Sequence, residues 1–297
     1  MAENIGIIAG GGQFPRLIAQ DARAAGLGVV ICGFSGHTDP ATAEAADVYE
    51  QLHLGQLNRM VNFFKENNVT RVCMAGAISK PKALDFRPDW RAAKLLFSLK
   101  KKGDDSLLRG IMADIEKDGL RIVASADLAS GLRAPSGTLT RRQPSESEWN
   151  DIRYGWPIAK AMGAFDIGQC LVVRENMVMA VECLEGTDAT LKRGGQLGGE
   201  GCVAIKMVKP GQDERVDLPS VGLTTIRNLV ENKYAVLAIQ AGKTLFFDRE
   251  EALRLAGVRA GEPVGELASR ILAAGEADGS DDATVAVVRL SRTSMPA

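Results

Sequence analysis

The stretch VMAVECLEGTDATLKR (residues 178–193) places three acids, Glu182, Glu185 and Asp188, around a strand end and an apparent helix start. Glu182 is in phase with Val178 and Ala180, on a strand face where a solvated acid does not belong. Buried charges are paired or coordinate metal, and Mg²⁺ takes one or two carboxylates plus several waters. Capping by Thr187 or Asp188 accounts for the later acids, with Glu185 at the surface, but leaves Glu182 unexplained.

A second acid opens DLPSVGLTT (residues 217–225). Asp217 precedes a rigid turn, Pro219 to Gly222, and then a helix capped by Thr224 or Thr225. An aspartate held in this way suits catalysis or metal binding, and equally an Asx-type turn. In KKKGDDSLLRG (residues 100–110), Asp104, Asp105 or Ser106 is expected to cap a helix on which Arg109 can reach a phosphate. The chain also carries IGIIAGGGQFP (residues 5–15), a strand, glycine turn and helix start. There Gly10, Gly11 and Gly12 with the helix N-terminus can cradle an anion. A nicotinamide site is disfavoured: Pro15 stands where the third glycine of that fingerprint belongs, and no acid ends the second strand.

These residues need elements to hold them. LGVVICGF (27–34) and VTRVCMAGAI (69–78) read as buried strands, LRIVASADLA (120–129) as another, and LGQLNRMVNFFKENN (54–68) and DDSLLRGIMADIEKDG (104–119) as amphipathic helices between them. The alternation predicts an α/β fold whose N-terminal domain is Rossmann-like, a doubly wound parallel sheet over residues 1–133. Residues 134–150 lose periodicity and are predicted as a linker. Residues 151–297 are predicted as a mixed α+β domain. In it QCLVVRENMVMAVEC reads as a hairpin, GCVAIKMV as a strand, YAVLAIQ and TLFFD as a strand pair around a glycine turn, and Asp248 with Glu251 as a capping box. The tail is expected to end in a strand.

With 297 residues, 45% of them hydrophobic and 25% charged, the composition is that of a globular protein, and a net charge of −1 gives no field for nucleic acid. No nucleic-acid partner is expected. Five cysteines without CxxC spacing read as reduced thiols, and two histidines without ligand spacing argue against zinc. No basic region precedes the first apolar run and no stretch is apolar enough to span a bilayer, so a cytoplasmic address is expected. WRAAKLLFSLKKK (90–102) sets Ala92, Leu95, Leu96 and Leu99 on one helical face and Arg91, Lys94, Ser98 and Lys101 on the other. This pattern fits packing on its own domain or a seat in a membrane interface.

Taken in order, AGGGxxP, KGDDxLLR, DIGQxxVV, AVExxEGTDAxL and VDLPxxG resemble the bacterial UDP-2,3-diacylglucosamine pyrophosphatases of the lipid A pathway that are not built on the calcineurin-like phosphoesterase fold. The resemblance implies Mg²⁺-dependent hydrolysis to UMP and 2,3-diacylglucosamine 1-phosphate. It makes Asp217 the essential aspartate, and puts Asp217, Glu182 and Asp188 at the metal. Gly10, Gly11, Gly12, Asp104, Asp105, Arg109, Glu185, Thr187, Gly222 and Thr224 are set against the substrate, a lipid-linked nucleotide sugar. A homodimer peripherally associated with the inner membrane is expected. Gly194, Gly195, Gly198 and Gly199 depart from the pattern and are expected to form a glycine-rich loop. By the residues alone a nucleotide- or lipid-binding carrier without turnover, or a nucleotide-dependent oxidoreductase, stand as alternatives.

Overall fold

The computed structural model describes residues 3–78, 86–98, 104–140, 143–215, 218–256 and 285–289, without the side chains of 104–106, 285–287 and 289. It divides into two compact units, Met1–Gly131 with Asp213–Asp217, and Leu132–Gln212 with Leu218–Ala297.

In the first unit β1 (Asn4–Ala9), α1 (Phe14–Ala24), β2 (Gly28–Phe34), β3 (Val48–Leu52), α2 (Leu57–Glu66), β4 (Val69–Ala75), α3 (Trp90–Ser98), α4 (Asp104–Glu116), β5 (Arg121–Ile122) and α5 (Ser125–Leu128) follow one another. The strands form a parallel sheet in the order β3-β2-β1-β4-β5, the doubly wound pattern expected. Ile7 of β1 lies opposite Ile31 and Cys73, and apolar residues on both sheet faces are buried, as continuous apolar strands require. Strand β3 escapes sequence reading, because VYEQL is a half-exposed edge strand with polar residues. LRIVASADLA yields only the two residues of β5: the chain turns at Ala124 and enters the short helix α5.

The helix α3 also departs from expectation. Arg91, assigned to its polar face, is only partly exposed and pairs with Asp114 of α4 at 2.5 Å and with Asp118. Its charge therefore fastens α3 to its own unit, while Leu96 faces solvent.

The second unit runs β6 (Gly137–Thr138), α6 (Glu146–Ala164), β7 (Cys170–Arg174), β8 (Met177–Val181), α7 (Thr187–Gly198), β9 (Val203–Lys206), β10 (Ser220–Val221), α8 (Leu223–Glu231), β11 (Val236–Gln240), β12 (Leu245–Phe246), α9 (Arg249–Leu255) and β13 (Val285–Arg289). Its mixed sheet has the order β6-β13-β11-β9-β7-β8. Residues of α6 (Ile152, Ala159, Met162) cover one face, and residues of α7, α8 and α9 (Leu191, Ile226, Leu229, Ala252) cover the other. Residues 134–150 thus carry a sheet strand, β6, and the start of α6, which opens on a Ser145–Glu148 capping box. The hairpin of β7 and β8 forms as read, around Glu175 and Asn176 at φ 52° and 55°.

Two local expectations fail. β12 does not pair with β11. It joins β10 in a separate two-stranded sheet, while β11 lies between β9 and β13. Asp248 sits at the N-cap of α9 with φ 48° and makes no side-chain cap, so the capping box is absent. The four glycines read as a loop fall in and at the end of α7. A Cβ on Gly194 would meet Val172 Cγ2 at 2.7 Å and the Tyr234 hydroxyl at 2.8 Å, so this glycine lets the helix lie close on β7.

Candidate active site

Of the three acids of the AVECLEGTDA stretch, Glu182 alone is buried, at one end of the second sheet. Glu182 follows β8 and continues its pairing with β7, donating its backbone N–H to the Cys170 carbonyl at 2.9 Å. Cys170 in turn lies opposite Lys206, the last residue of β9. Alternation keeps Glu182 in phase with Ala180, and Lys206 in phase with Cys202 and Ala204, all buried. Glu182 is 7% exposed and Lys206 6%. Burial pushes the thiol of Cys170 between them up to about 12, with Lys206 opposing the shift, so this cysteine stays protonated.

A hydroxyl joins the two buried charges. Thr187 Oγ1 donates to Glu182 Oε1 at 3.1 Å and accepts from Lys206 Nζ at 3.2 Å. Lys206 Nζ also donates to the Ser220 carbonyl at 2.9 Å. The second carboxylate oxygen, Glu182 Oε2, is buried without a hydrogen-bond partner. An ionised oxygen in that state asks for a cation or a donor, and it suits the oxygen-seeking Mg²⁺. Among the described residues no group of three or more His, Cys, Asp or Glu side chains is placed to hold a metal, so one carboxylate here would have to be joined by residues outside that set.

The remaining site residues separate. Thr187 is the first residue of α7, not its cap; that position belongs to Gly186, at φ 80°. Glu185 is exposed: Oε1 receives Arg193 at 2.5 Å and Oε2 the Cys183 N–H at 3.2 Å. The Arg193 hydrogen bond is the main reason its carboxyl lies below the usual range. Asp188 is exposed on the first turn of α7 and accepts from Asn228 at 2.8 Å. Gly222 caps α8 in an extended conformation, φ −165°, which any residue adopts. It displaces Thr224 and Thr225 from the capping role, and Thr224 is exposed. Asp217 lies outside the described residues, as do the side chains of Asp104 and Asp105.

In the first unit, Arg109 stands exposed on α4 and its charge helps hold Asp213 below the ordinary carboxylate range, after the larger effect of the Arg215 hydrogen bond. Arg215 also pairs with Glu116 at 3.0 Å, fixing the chain two residues before Asp217 to α4. The glycine turn sits where the sheet order reverses, between β1 and β4. Gly10 N–H donates to the Ala75 carbonyl at 2.7 Å and Gly11 N–H to that of Ala77 at 2.8 Å. A Cβ on Gly10 would come 2.6 Å from the Gly76 carbonyl oxygen, so close approach of two loops fixes this glycine. Two of the three N–H groups read as an anion cradle are therefore spent on the neighbouring loop, and Gly12, at φ 85°, is the position left for that role.

Lys206 is the functional candidate that sequence reading missed. Its signal was present, a lysine in phase with Cys202 and Ala204 in GCVAIKMV, but a lysine at a strand end ordinarily extends to water. A cavity of about 450 Å³ elsewhere in the second unit, lined by Glu148, Asp151, Arg174 and Asn176 among others, does not include these residues. Its buried Asp151 accepts the Glu175 and Asn176 N–H groups at 3.1 and 2.7 Å and so closes the β7–β8 turn.

The chain matches two family models, the LpxI N-terminal domain over residues 4–132 and the LpxI C-terminal domain over residues 135–259. It is 34% identical over 265 residues to the UDP-2,3-diacylglucosamine pyrophosphatase LpxI of Caulobacter vibrioides, covering 85% of this chain and 93% of that protein. Among solved structures, the ADP complex of an N5-carboxyaminoimidazole ribonucleotide synthetase is similar at 14% identity and a TM-score of 0.27, over 58% of this chain and 32% of that one. A pyruvate carboxylase from Rhizobium etli is similar at 13% identity and a TM-score of 0.27, over 44% and 12%. At these scores neither likeness carries an inference.

Proposed function

The chain belongs to the LpxI family, and on that premise we propose that it hydrolyses UDP-2,3-diacylglucosamine with Mg²⁺ as cofactor, Glu182 as a metal ligand and Asp217 as the catalytic aspartate. Water adds to one phosphorus of the diphosphate, the bridging P–O bond breaks, and UMP and 2,3-diacylglucosamine 1-phosphate leave. The observation that carries the site is the buried Glu182 carboxylate with one oxygen unpartnered. Glu182 and Asp217 would be carboxylate ligands of the cation, whereas Asp188 is exposed and engaged by Asn228. When bound, Mg²⁺ supplies positive charge against the negative charge that builds on the diphosphate. Asp217 orients the attacking water and accepts its proton, while the buried surroundings of Glu182 keep bulk water from that carboxylate. The test is product formation from the lipid substrate with Mg²⁺ and with EDTA. Loss of turnover in EDTA and its return with added Mg²⁺ are expected; full turnover in EDTA would exclude the metal.

The same reading places the enzyme against a membrane surface, since its substrate is a diacyl lipid. Among the described residues no helix is long and apolar enough to cross a membrane. Helix α3 nevertheless exposes Trp90 (85%) and Phe97 (92%), seven residues apart on one stripe with exposed Lys94 between them. Replacing both rings (Trp90→Ser with Phe97→Ser) is expected to weaken binding to phosphatidylglycerol vesicles at least about tenfold, from the apolar area withdrawn. Co-sedimentation equal to that of the parent protein would remove α3 from the membrane contact.

A further inference from the structure

The backbone of Glu182 is held from three directions. Its N–H donates to the Cys170 carbonyl at 2.9 Å, and Arg193 donates to the preceding carbonyl, that of Val181, at 2.9 Å. A Cβ on Gly168 would come 2.0 Å from the Glu182 carbonyl oxygen, so only glycine lets the two segments lie this close. What the backbone does not fix is the carboxylate, whose terminal torsion is broad and whose two oxygens are chemically equivalent.

The surroundings make those oxygens unequal. Oε1 receives the Thr187 hydroxyl at 3.1 Å, while Oε2 is buried without a partner. Lys206 sets the direction of that contact. An ammonium only donates, and this one donates to Thr187 Oγ1 at 3.2 Å and to the Ser220 carbonyl at 2.9 Å. Thr187 must accept there, so its single proton goes to Glu182. The hydroxyl is itself held in place: Thr187 is the first residue of α7, and a β-branched side chain has few χ1 states open to it in a helix. Glu182, Thr187, Lys206 and Ser220 all belong to the second unit.

We propose that Thr187 is a positioning residue for the cation: its hydroxyl, with the proton directed by Lys206, holds Glu182 Oε1 and leaves Oε2 as the oxygen offered to the metal. This rests on the reading of Glu182 as a metal ligand given above. It departs from the substrate contact that the family resemblance implies for Thr187, because the one proton of the hydroxyl is already committed to Glu182.

The test is Mn²⁺ binding, followed by electron paramagnetic resonance with UMP present, in the full chain and in its Thr187→Val, Thr187→Ser and Glu182→Gln variants. Thermal unfolding checks that each one folds. Thr187→Val keeps the shape and deletes the hydroxyl. It is expected to weaken Mn²⁺ binding about tenfold, the usual effect of losing the hydrogen-bond partner of a metal ligand. Thr187→Ser keeps the hydroxyl and is expected to bind within about threefold of the parent. A structural role for the side chain would make serine, which lacks the methyl, at least as damaging as valine. In steady-state kinetics at saturating Mg²⁺, Thr187→Val is expected to keep KM for UDP-2,3-diacylglucosamine within about threefold. Parent-like Mn²⁺ affinity in Thr187→Val, beside weakened binding in Glu182→Gln, overturns the positioning role and leaves Glu182 as a ligand. A serine variant as weak as the valine one overturns it too. So does a raised KM with Mn²⁺ binding unchanged, which would put the hydroxyl on the substrate. Parent-like affinity in Glu182→Gln, or no Mn²⁺ binding by the parent, overturns the reading beneath and the proposal with it. Should Thr187→Val fail to fold, Thr187→Ala deletes the same hydroxyl and is judged by the same criterion.

Discussion

Asp217→Ala is expected to lower kcat on UDP-2,3-diacylglucosamine by about 10³-fold, or ~4 kcal/mol of transition-state stabilisation, while KM stays within a few-fold. The reasoning is that an aspartate which orients the attacking water and shares the cation contributes chiefly after the substrate is bound. Asp217→Asn retains the volume and is expected to lose nearly as much, because what disappears is the negative charge. Steady-state kinetics on detergent-dispersed substrate checks both variants, alongside thermal unfolding to show that the chain still folds. A kcat within tenfold of the parent in Asp217→Ala would move the chemistry to another carboxylate.

Glu182→Gln carries the second large effect and touches both activity and stability. The amide still accepts the Thr187 hydroxyl, so the geometry at Oε1 is retained. The charge is lost, and with it the ligand offered at the unpartnered oxygen. A kcat reduction of about 100-fold at low Mg²⁺ is expected, or ~2.7 kcal/mol, relieved in part as Mg²⁺ is raised. The substitution also leaves Lys206 buried without its counter-charge. The two charges interact through a hydroxyl and not directly, so the cost in folding stability is expected near 1–2 kcal/mol, below that of breaking a directly paired buried ion pair. Chemical denaturation measures that loss, and turnover against Mg²⁺ concentration measures the other. A variant that kept full activity at every Mg²⁺ concentration would reduce Glu182 to the partner of Lys206.

The burial of Glu182 was legible because its anomaly is local. Glu182 stood out as an acid in phase with Val178 and Ala180; it is buried with Ala180, while Val178 at the start of that strand face is exposed. The βαβ alternation, the RENM turn and the strand at VAVVR follow from periodicity and turn chemistry alone. What sequence could not disclose depends on partners distant along the chain. Thr187 looks like a helix cap until β9 brings Lys206 beside it. Arg91 looks like solvated charge until α4 presents Asp114. The pairing of TLFFD with YAVLAIQ failed because strand propensity does not name the neighbour: β10, from the DLPSVG stretch, claims β12. Gly194 resembles a loop residue in composition, and its reason, contact of α7 with Val172 and Tyr234, exists only in the packed unit. The glycine turn shows the same limit from the other side. Its shape was readable, but the commitment of the Gly10 and Gly11 N–H groups to Ala75 and Ala77 was not.

The most direct test of a cation held by Glu182 and Asp217 is the binding of Mn²⁺, a spectroscopic substitute for Mg²⁺, followed by electron paramagnetic resonance in the presence of UMP. The parent protein is expected to bind one Mn²⁺ that Mg²⁺ displaces, and Glu182→Gln and Asp217→Ala each to weaken that binding at least about tenfold, as expected when one of only a few charged ligands is lost. Equal affinity in all three proteins, or no binding by the parent, would contradict a metal site at these carboxylates.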